Sequence, residues 1–446
     1  MDRRSHPRRL PHRRPHPRRS RRLHPADSPD HHAAVTAAAD RHPSQSPCLP
    51  HLPVRTHQPR PLPTHPIGRR PDQPPPRPDR RPRPRPPSAH PRRPTAPPHH
   101  PPHRHPGPTS GRTVTAPRIY HDDDADLTWL TTRVVTVVGY GNQGRSQALN
   151  MRDSGIDRIL IADHDPTAAD TARADGFDVH PVTEAVTAGD VILLLIPDEA
   201  QPDAFHTDIR PGLRPGDTLV VASGYNLAYG LLRPPGDIDV VMVAPRMIGA
   251  GVRSNFQNGR GFPCFVSTEH DTTGHALTRA LAVARAIGAT RGGAIASTAG
   301  EEAALDLFTE LAIGPAILGL LTAAYDTLHH AGFSDEAILH EMYLSGELAE
   351  IFGRAATDGL FAQLNLHSRT SQYAHLRGFA ALPTDQLRRH FTDVLDTEIL
   401  AGAFAREWSH ADDDPLDTLR ATSRPLPLAG AERRVRHRLT TQGKTR

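Results

Sequence analysis

Short apolar runs alternate with helix-like stretches between residues 119 and about 298. The first run, residues 134–138, contains only Val and Thr, and similar runs follow at residues 191–196, 218–222, 240–243 and 264–266. Each has the length of a buried strand, and turns rich in Pro, Gly, Asp or Ser follow these runs. This alternation predicts an α/β fold with a doubly wound parallel sheet, whose ligand crevice lies at the carboxyl ends of the strands.

The pattern changes to a helical period near residue 298. Residues 301–328 and 335–356 repeat apolar positions at helical spacing, and Gly332 separates them. Residues 312–321 are strongly apolar, which predicts helices buried in part against another copy of the chain. We therefore expect an α/β domain over residues 119–298 and an all-helical domain over residues 299–446.

Residues 1–118 show neither pattern. They contain 25 of the 53 Lys and Arg residues, 6 of the 49 Asp and Glu residues and most of the 47 prolines. Such a segment has too little apolar surface to offset its conformational entropy, so we expect a disordered tail. It could bind nucleic acid, act as a transit peptide, or lie outside the working protein, since no Met falls between Met1 and Met151. We favour the last and expect no nucleic-acid partner.

The rest of the composition excludes several classes of protein. No apolar run approaches the length needed to cross a membrane, and no secretory signal is visible. The two cysteines, Cys48 and Cys264, imply no disulfide framework. We expect a cytoplasmic protein that is not associated with a membrane.

A glycine-rich loop follows the first apolar run. Gly139, Gly141 and Gly144 have the G-x-G-x-x-G spacing at the start of a predicted helix. The first glycine permits a tight turn, the second lets a pyrophosphate approach the backbone, and the third lets helix and strand pack closely. The N–H groups at the start of the helix and its dipole would face the diphosphate. A strand before the loop and a helix after it predict a Rossmann-like dinucleotide-binding domain rather than a simple turn.

An acidic residue follows the second strand. Asp163 lies about 20 residues past the glycines, where a carboxylate hydrogen-bonds a ribose 2′-hydroxyl and would repel a 2′-phosphate. This position favours NAD(H), while nearby Arg158 and Thr167 leave NADP(H) open. The alternative is a solvated turn aspartate.

Carboxylates four residues apart suggest a metal site. Asp306 and Glu310 share one face of the first C-terminal helix, and Glu341 and Ser345 stand in the same relation on the second. Two such helices across a gap could hold Mg²⁺, which prefers oxygen ligands. The same spacing is typical of a solvated helix face, so the residues alone leave both interpretations open.

Several segments resemble ketol-acid reductoisomerases of the short, bacterial type. The similar segments are residues 120–127, 137–144, 148–155, 196–199, 241–245, 261–264, 301–310 and 404–408. The resemblance covers essentially everything from residue 119 to the C-terminus, in order, and none of the tail. The resemblance implies an NAD(P)-dependent oxidoreductase of branched-chain amino-acid biosynthesis. In that family two Mg²⁺ ions bind an acetohydroxy acid and promote an alkyl shift, and a hydride then reduces the keto acid. The resemblance also implies a homodimer with a knotted helical domain.

The resemblance assigns roles to individual residues. It implies Asp306, Glu310 and Glu341 as metal ligands and Ser368 as the contact to the substrate carboxylate. The positions implied for catalysis are Ser223, Arg246 and Glu310. The cofactor contacts are expected from the glycine loop and from the ends of the strands. They are Gly139, Tyr140, Gly141, Asn142, Gln143, Gly144, Asp163, Thr167, Pro197, Asp198 and Gln201.

The departures from the family pattern fall on its chemistry. Ser223 replaces a histidine, Arg246 replaces a lysine, and Ser345 replaces the second glutamate of a pair. Residues 247–250 replace a Gly-Pro-Gly-His run. Arginine does not deprotonate in proteins, and the serine leaves a metal site one anionic ligand short. Three functions stay open: a ketol-acid reductoisomerase, a diverged reductase of another keto acid or imine without alkyl migration, and a non-catalytic nucleotide-binding protein.

Overall fold

A computed structural model describes residues 116–410 and 415–442. The expected disordered tail therefore lies, except for its last three residues, outside the described part of the chain. The described residues form a nine-stranded sheet with helices on both faces, followed by a helical region.

The nine strands are β1 (Ile119–Tyr120), β2 (Val135–Val138), β3 (Ile159–Ala162), β4 (Asp178–Val179), β5 (Val191–Leu194), β6 (Thr218–Val221), β7 (Asp239–Pro245), β8 (Cys264–His270) and β9 (Ala294–Ala296). The five apolar runs lie on β2, β5, β6, β7 and β8, whereas the short strands β1, β4 and β9 were not predicted. Their order across the sheet is β1-β9-β8-β7-β6-β5-β2-β3-β4. The chain builds β3 and β4 on one side of β2 and β5 to β7 on the other, so the order reverses between β2 and β5. Ligands of open α/β sheets bind at such a reversal.

The sheet is mixed, which corrects the expectation of a wholly parallel one. Strands β2 to β7 pair in parallel, but β8 runs antiparallel to β7 and β1 runs antiparallel to β9. An apolar run predicts that a strand is buried but not whether it runs parallel or antiparallel to its neighbour. That direction depends on the end of the sheet from which the connecting segment enters the strand.

Helices cover the sheet and then continue alone. Those of the α/β region are α1 (Thr128–Thr131), α2 (Asn142–Asp153), α3 (Pro166–Ala174), α4 (Val182–Ala188), α5 (Gln201–Ala204), α6 (Tyr225–Ala228), α7 (Gly249–Gln257) and α8 (Ala276–Ala286). Those that follow are α9 (Ala299–Phe308), α10 (Gly314–His330), α11 (Asp335–Leu339), α12 (Glu347–Asp358), α13 (Arg369–Ala381), α14 (Thr384–Asp393), α15 (Ala403–Ser409), α16 (Pro415–Ser423) and α17 (Pro427–Gln442). The described C-terminal region is therefore all-helical, as expected.

Two apolar clusters sandwich the sheet. Val137 and Leu193 belong to the cluster on one face, while Ile192 and Leu194 belong to the cluster on the other. Adjacent residues of one strand point to opposite faces, so a strand that is apolar at every position must be covered on both sides. This is why the continuous apolar runs predicted central strands correctly.

π-helical segments interrupt the helices that carry the predicted carboxylates. Thr309–Ile313 joins α9 to α10, and His340–Leu344 follows α11. After the second segment, Gly346 adopts a φ of 86°, so the helix stops and restarts. Glu341 lies within the π-helical segment and Ser345 directly after it, so the pair does not belong to one regular α-helix, which corrects that expectation. Hydrophobic spacing cannot reveal the extra residue per turn of a π-helix.

One helical stretch contradicts the expectation that no apolar segment is long enough to cross a membrane. The 32 residues Ala299–His330 are long and apolar enough to cross a membrane, judged by length and composition alone, and little of the most apolar part is buried. The sequence reading missed it because Gly, Ala and Thr separate its Ile and Leu residues. A helix of this kind is also typical of interfaces between helices.

Many apolar side chains of the helical region are not covered by other residues of the same chain. Helices α12 and α13 contain no buried residue. Large apolar side chains are exposed from α10 to the turn after α13, including Leu318, Leu320, Phe333, Phe352, Leu360, Phe361, Leu366, Tyr373, Phe379 and Leu382. This many large exposed apolar side chains in one region are typical of an interaction surface.

Candidate cofactor and catalytic site

A cavity of about 400 Å³ lies at the carboxyl ends of β2, β3 and β5. It lies where the strand order reverses, and its lining residues come from four separate parts of the sequence. The predicted residues that line it are Gly139, Gly141, Asn142, Gln143, Asp163, Pro197, Asp198, Gln201 and Ser223.

The three glycines of the loop have different surroundings. Gly139 has a φ of 100°, and a Cβ atom there would lie 2.8 Å from the backbone of Leu195. A Cβ atom on Gly144 would lie 1.8 Å from the carbonyl oxygen of Gly139, so helix α2 packs directly on the loop. Around Gly141 there is no heavy atom within 4 Å of a built Cβ. The open space lies where the sequence motif predicts the pyrophosphate.

The loop after β7 supports the start of α2. Gln143 Nε2 donates a hydrogen bond to the carbonyl of Met247 at 2.9 Å. A Cβ atom on Gly249 would meet the carbonyl oxygen of Asn142 at 1.8 Å. The segment that departs most from the family pattern, residues 247–250, therefore packs against the glycine loop.

Asp163 lies in the cavity and also shapes the loop. Its Oδ2 accepts the N–H of Tyr140 at 2.6 Å, and its Oδ1 accepts the N–H of Asp165 at 2.9 Å. Each carboxylate oxygen has a second lone pair, so the group retains capacity to accept a ribose hydroxyl. The structure thus places Asp163 where the sequence predicted it, with an additional structural role.

Three of the predicted cofactor residues do not line the cavity. The Tyr140 ring is buried and its hydroxyl donates to Asp175 at 3.0 Å, so only its backbone faces the loop. Gly144 acts through packing. Thr167 is exposed on α3. Its backbone N–H donates at 3.0 Å to the side chain of Asp165, which is the N-cap residue of that helix.

Two polar residues of the cavity were missed by the prediction from sequence. His164 and Asp165 follow Asp163 and line the same cavity. Asp165 precedes Pro166 and Thr167, a sequence typical of a helix N-cap, and this signal could have placed it at the end of β3. The cavity therefore has two carboxylates where an adenosine ribose would lie.

Arg246 joins the end of β7 to helix α9. Its Nη1 donates to Asp306 Oδ1 at 2.9 Å and its Nη2 donates to Glu302 Oε1 at 2.5 Å. The guanidinium carbon lies 5.0 Å from the centre of the Phe265 ring. The sequence reading named Arg246 and Asp306 separately and missed Glu302, although Glu302 stands one helical turn before Asp306.

Glu302 is the buried member of this group. Only 1% of its side chain is exposed, and its second oxygen accepts the N–H of Gly224 at 2.6 Å. Burial raises the pKa of Glu302, while Arg246 and the Gly224 N–H oppose that rise. The turn after β6 is therefore tied to α9, with Ser223 beside it accepting the N–H of Tyr225 at 3.2 Å.

Further carboxylates surround this pair. Asp198 is held by Asn226 and Gln201, and burial followed by the negative charge of Glu302 raises its pKa to about 6. Glu310 has a raised pKa because of partial burial and the nearby Asp306. An excess of negative charge next to one arginine is a suitable environment for a cation.

A second cavity, of about 850 Å³, meets the first at Asp198. Its walls include Tyr225, Glu310, Phe404 and Trp408. The Tyr225 hydroxyl is buried with no hydrogen-bond partner among the described residues. A ligand in this cavity would lie beside the end of the cofactor cavity and next to the carboxylates.

The structure tests whether the predicted metal ligands converge. Asp306 and Glu310 lie close together, but in the described residues no group of three or more His, Cys, Asp or Glu side chains could hold a metal ion. Glu341, Ser345 and Ser368 are exposed on other elements, and Ser368 caps α13. One chain thus supplies two suitable carboxylates and not the full predicted set.

Comparisons with known proteins agree with this geometry. Residues 129–293 match the family description "Acetohydroxy acid isomeroreductase, NADPH-binding domain", and residues 300–441 match "Ketol-acid reductoisomerase, C-terminal domain". A ketol-acid reductoisomerase (NADP(+)) from Pyrobaculum calidifontis is 37% identical over 323 residues, which cover 71% of this chain and 98% of that protein. One from Methanopyrus kandleri is 40% identical over 298 residues, covering 66% and 88%.

A solved structure shares both regions. The NADH-preferring ketol-acid reductoisomerase from an uncultured archean superposes with a TM-score of 0.67 at 28% identity, covering 72% of this chain and 98% of that one. The two family matches together span more than half of the sequence, on both sides of the boundary between sheet and helices. By sequence and by fold, this chain belongs to the ketol-acid reductoisomerase family.

Proposed function

We propose that this protein is an NAD(P)-dependent ketol-acid reductoisomerase that converts an acetohydroxy acid in branched-chain amino-acid biosynthesis. The observation that carries the proposal is the junction of the two cavities at Asp198, which puts a dinucleotide site beside a carboxylate-lined substrate site. Family membership and the curated relatives support the same chemistry.

In the proposed reaction, residues at different positions bind the cofactor and the substrate. The glycine loop and the start of α2 bind the diphosphate, and Asp163 binds the ribose. A nicotinamide cofactor held by these residues would supply the hydride that reduces the carbonyl carbon of the keto acid, with a proton going to the carbonyl oxygen. Ser223 lies at the end of β6 and lines the cofactor cavity, from which its hydroxyl can hydrogen-bond the substrate, while Arg246 lies at the end of β7 and holds Glu302 and Asp306.

Asp306 and Glu310 are the residues that would hold a Mg²⁺ ion. They fit because both are carboxylates, they lie close together, and the surrounding acidic groups favour a cation. Such an ion would polarise the carbonyl and hydroxyl oxygens of the substrate. Glu341 and Ser368 from a second copy of the chain would complete the ligand set and bind the substrate carboxylate.

We propose a homodimer on the basis of the exposed helical region. Helices α12 and α13 contain no residue that is buried within one chain, yet their exposed side chains include Phe, Tyr and Leu. A second copy would cover this surface, because obligate homodimer interfaces resemble a core divided between two chains. The same contact accounts for the apolar α10 without a membrane. We place the dimer in the cytoplasm.

The first experiment follows nicotinamide absorbance with residues 116–446, Mg²⁺, and NADH or NADPH. We expect oxidation of the cofactor on addition of 2-acetolactate, because the chain retains the glycine loop, Asp306 and Glu310. Cofactor binding measured separately by fluorescence is the control. A protein that binds cofactor but leaves 2-acetolactate unchanged would contradict the proposal.

A second candidate function is supported by the contacts of Arg246. Its ion pairs with Glu302 and Asp306 occupy groups near the predicted metal site, and Ser223 and Ser345 replace further polar groups of the family pattern. These changes favour a reductase that acts on a ready-made keto acid or imine without alkyl migration. Turnover of 2-keto acids together with none of 2-acetolactate would identify this activity.

Cofactor preference gives a separate prediction. Asp163 and Asp165 place two negative charges at the ribose, which should repel a 2′-phosphate, so we propose NADH as the preferred cofactor. Asp163→Asn with Asp165→Ser removes both charges, keeps one of the two N–H acceptors of residue 163 and keeps a side-chain oxygen at the cap of α3. We expect the ratio of kcat/KM for NADPH over NADH to rise at least about tenfold, equivalent to about 1.4 kcal/mol.

The matched control is Asp170→Asn, an exposed carboxylate on α3 that does not line the cavity. It should leave the ratio unchanged. If the double variant also leaves it unchanged, the two carboxylates do not contact the ribose.

A further inference from the structure

Asp198 is shared by the two cavities. It begins the short turn Asp198–Ala200 after β5, and of the described residues it alone lines both the cofactor cavity and the larger cavity beside it. A ligand at the junction of the cavities therefore reaches this side chain. The contacts of its two carboxylate oxygens determine which groups of a ligand it can bind.

Two buried amides hold one of these oxygens. Gln201 Nε2 donates to Asp198 Oδ1 at 3.2 Å, and Asn226 Nδ2 donates to the same oxygen at 3.3 Å. Asn226 Nδ2 also donates to the Asp198 carbonyl oxygen at 2.9 Å and to Gln201 Oε1 at 3.0 Å. Gln201 is only 5% exposed and Asn226 only 2%. Because both amides are packed in place, they fix the orientation of the carboxylate.

The other oxygen is free. Asp198 Oδ2 makes no hydrogen bond with a described residue, and it is not closed off from solvent. Above the Asp198 pKa of about 6 the carboxyl group is ionised, and an ionised carboxylate only accepts hydrogen bonds. A ligand group that binds Oδ2 must therefore be a hydrogen-bond donor.

The surrounding charge orients an acid substrate. Four other carboxylates act on Asp198, namely those of Glu302, Glu199, Asp306 and Glu310. They disfavour a substrate carboxylate beside it, so an acid should present its neutral part here. In an acetohydroxy acid that part has a carbonyl, which only accepts hydrogen bonds, and a hydroxyl, which also donates them. Only the hydroxyl is a suitable partner for Oδ2.

We propose that the free oxygen of Asp198 accepts a hydrogen bond from a substrate hydroxyl, so that the site selects keto acids with a neighbouring hydroxyl over those without one. Asn226 and Gln201 are positioning residues, because they act through Asp198. The inference rests on the proposed function, since it names a feature of the substrate of the same site. Sites that hydrogen-bond a substrate hydroxyl discriminate strongly against analogues that lack it.

The test compares two acids that differ only in the hydroxyl, 3-hydroxy-3-methyl-2-oxobutanoate and 3-methyl-2-oxobutanoate. Calorimetry measures their binding to the full chain with Mg²⁺ and oxidised NAD⁺, which can reduce neither acid, at a pH above the pKa of Asp198. We expect the hydroxylated acid to bind at least about tenfold more tightly, because its hydroxyl meets a charged acceptor.

Two variants of Asp198 test the source of this preference. Asp198→Ala removes the acceptor, and we expect the two acids then to bind within about twofold of each other. Asp198→Asn keeps an oxygen for Gln201 and Asn226 but replaces the charged acceptor by a neutral amide. The preference should fall at least about threefold there, since charge-assisted hydrogen bonds are roughly twice as strong as neutral ones. Melting temperature identifies folded variants, and Asp198→Asn serves if Asp198→Ala does not fold.

Asn226→Leu tests the positioning role. It leaves the Asp198 carboxylate in place but removes a donor that holds it. We expect weaker binding of the hydroxylated acid and a change of less than about twofold for the acid without the hydroxyl. A purely structural role would weaken binding of both acids alike.

Glu199→Gln is the matched control. Glu199 is exposed, lines the larger cavity and is adjacent to Asp198 in the chain, so the variant removes one negative charge from the same place. It should leave the preference between the two acids unchanged.

Three results would overturn the inference: equal binding of the two acids by the wild type, no measurable binding of either, or an unchanged preference in a folded Asp198 variant. None of these measurements needs turnover or alkyl migration. If 2-acetolactate is not converted but the preference depends on Asp198, the proposed function fails and the inference stands. Conversion of 2-acetolactate with a preference that ignores Asp198 separates the two in the other direction.

Discussion

Alanine at Gly144 lowers the stability of the protein, whereas alanine at Gly141 lowers only its affinity for the cofactor. The added methyl group at Gly144 would lie 1.8 Å from the Gly139 carbonyl oxygen, which neither helix nor loop can accommodate without moving. Overpacking of this severity costs about 3 kcal/mol or more. We expect the melting temperature of Gly144→Ala to fall by roughly 6–12 °C.

The Gly141→Ala variant serves as the internal comparison. Its new methyl group meets no protein atom within 4 Å and would instead occupy the space expected for the pyrophosphate. We expect a melting temperature within about 2 °C of wild type and NADPH or NADH affinity at least tenfold weaker, or about 1.4 kcal/mol. Equal cofactor affinity in Gly141→Ala and wild type would mean that the diphosphate does not lie against this loop.

Replacement of Glu302 by alanine should cost about 3–5 kcal/mol of unfolding free energy, as removal of one partner from a buried ion pair usually does. The change leaves the Gly224 N–H without an acceptor and Arg246 with only Asp306. Urea denaturation followed by circular dichroism measures the loss.

Glu301→Ala is the adjacent control, because Glu301 is exposed and contacts only Ser297. Surface changes of this kind usually fall within about 0.5 kcal/mol. If the two alanine variants lose similar stability, then the link between α9 and the turn after β6 contributes little. Glu302→Gln should lie between them, since the amide oxygen can still accept the Gly224 N–H.

The cofactor half of this protein was predictable from its amino-acid sequence. Continuous apolar strands must be covered on both faces, and G-x-G-x-x-G permits few backbone conformations, so both signals are local and strong. The placement of Gly139, Asp163 and Asp198 around one cavity followed from the rule that parallel strands end at the same edge. Strand direction did not follow from such signals, because β8 and β1 reverse through connections that the apolar pattern does not record.

The composition of the acidic half of the site depends on packing between distant elements and could not be predicted from the sequence. The spacing of Asp306 and Glu310 suggested a metal site, but the guanidinium that bridges Asp306 and Glu302 comes from a strand about 60 residues earlier in the chain. Glu341 and Ser345 were expected on one regular helix, whereas Glu341 lies within a π-helical segment and Ser345 directly after it. Local periodicity determines which residues share a face of a regular element, whereas contacts between distant elements depend on how those elements pack.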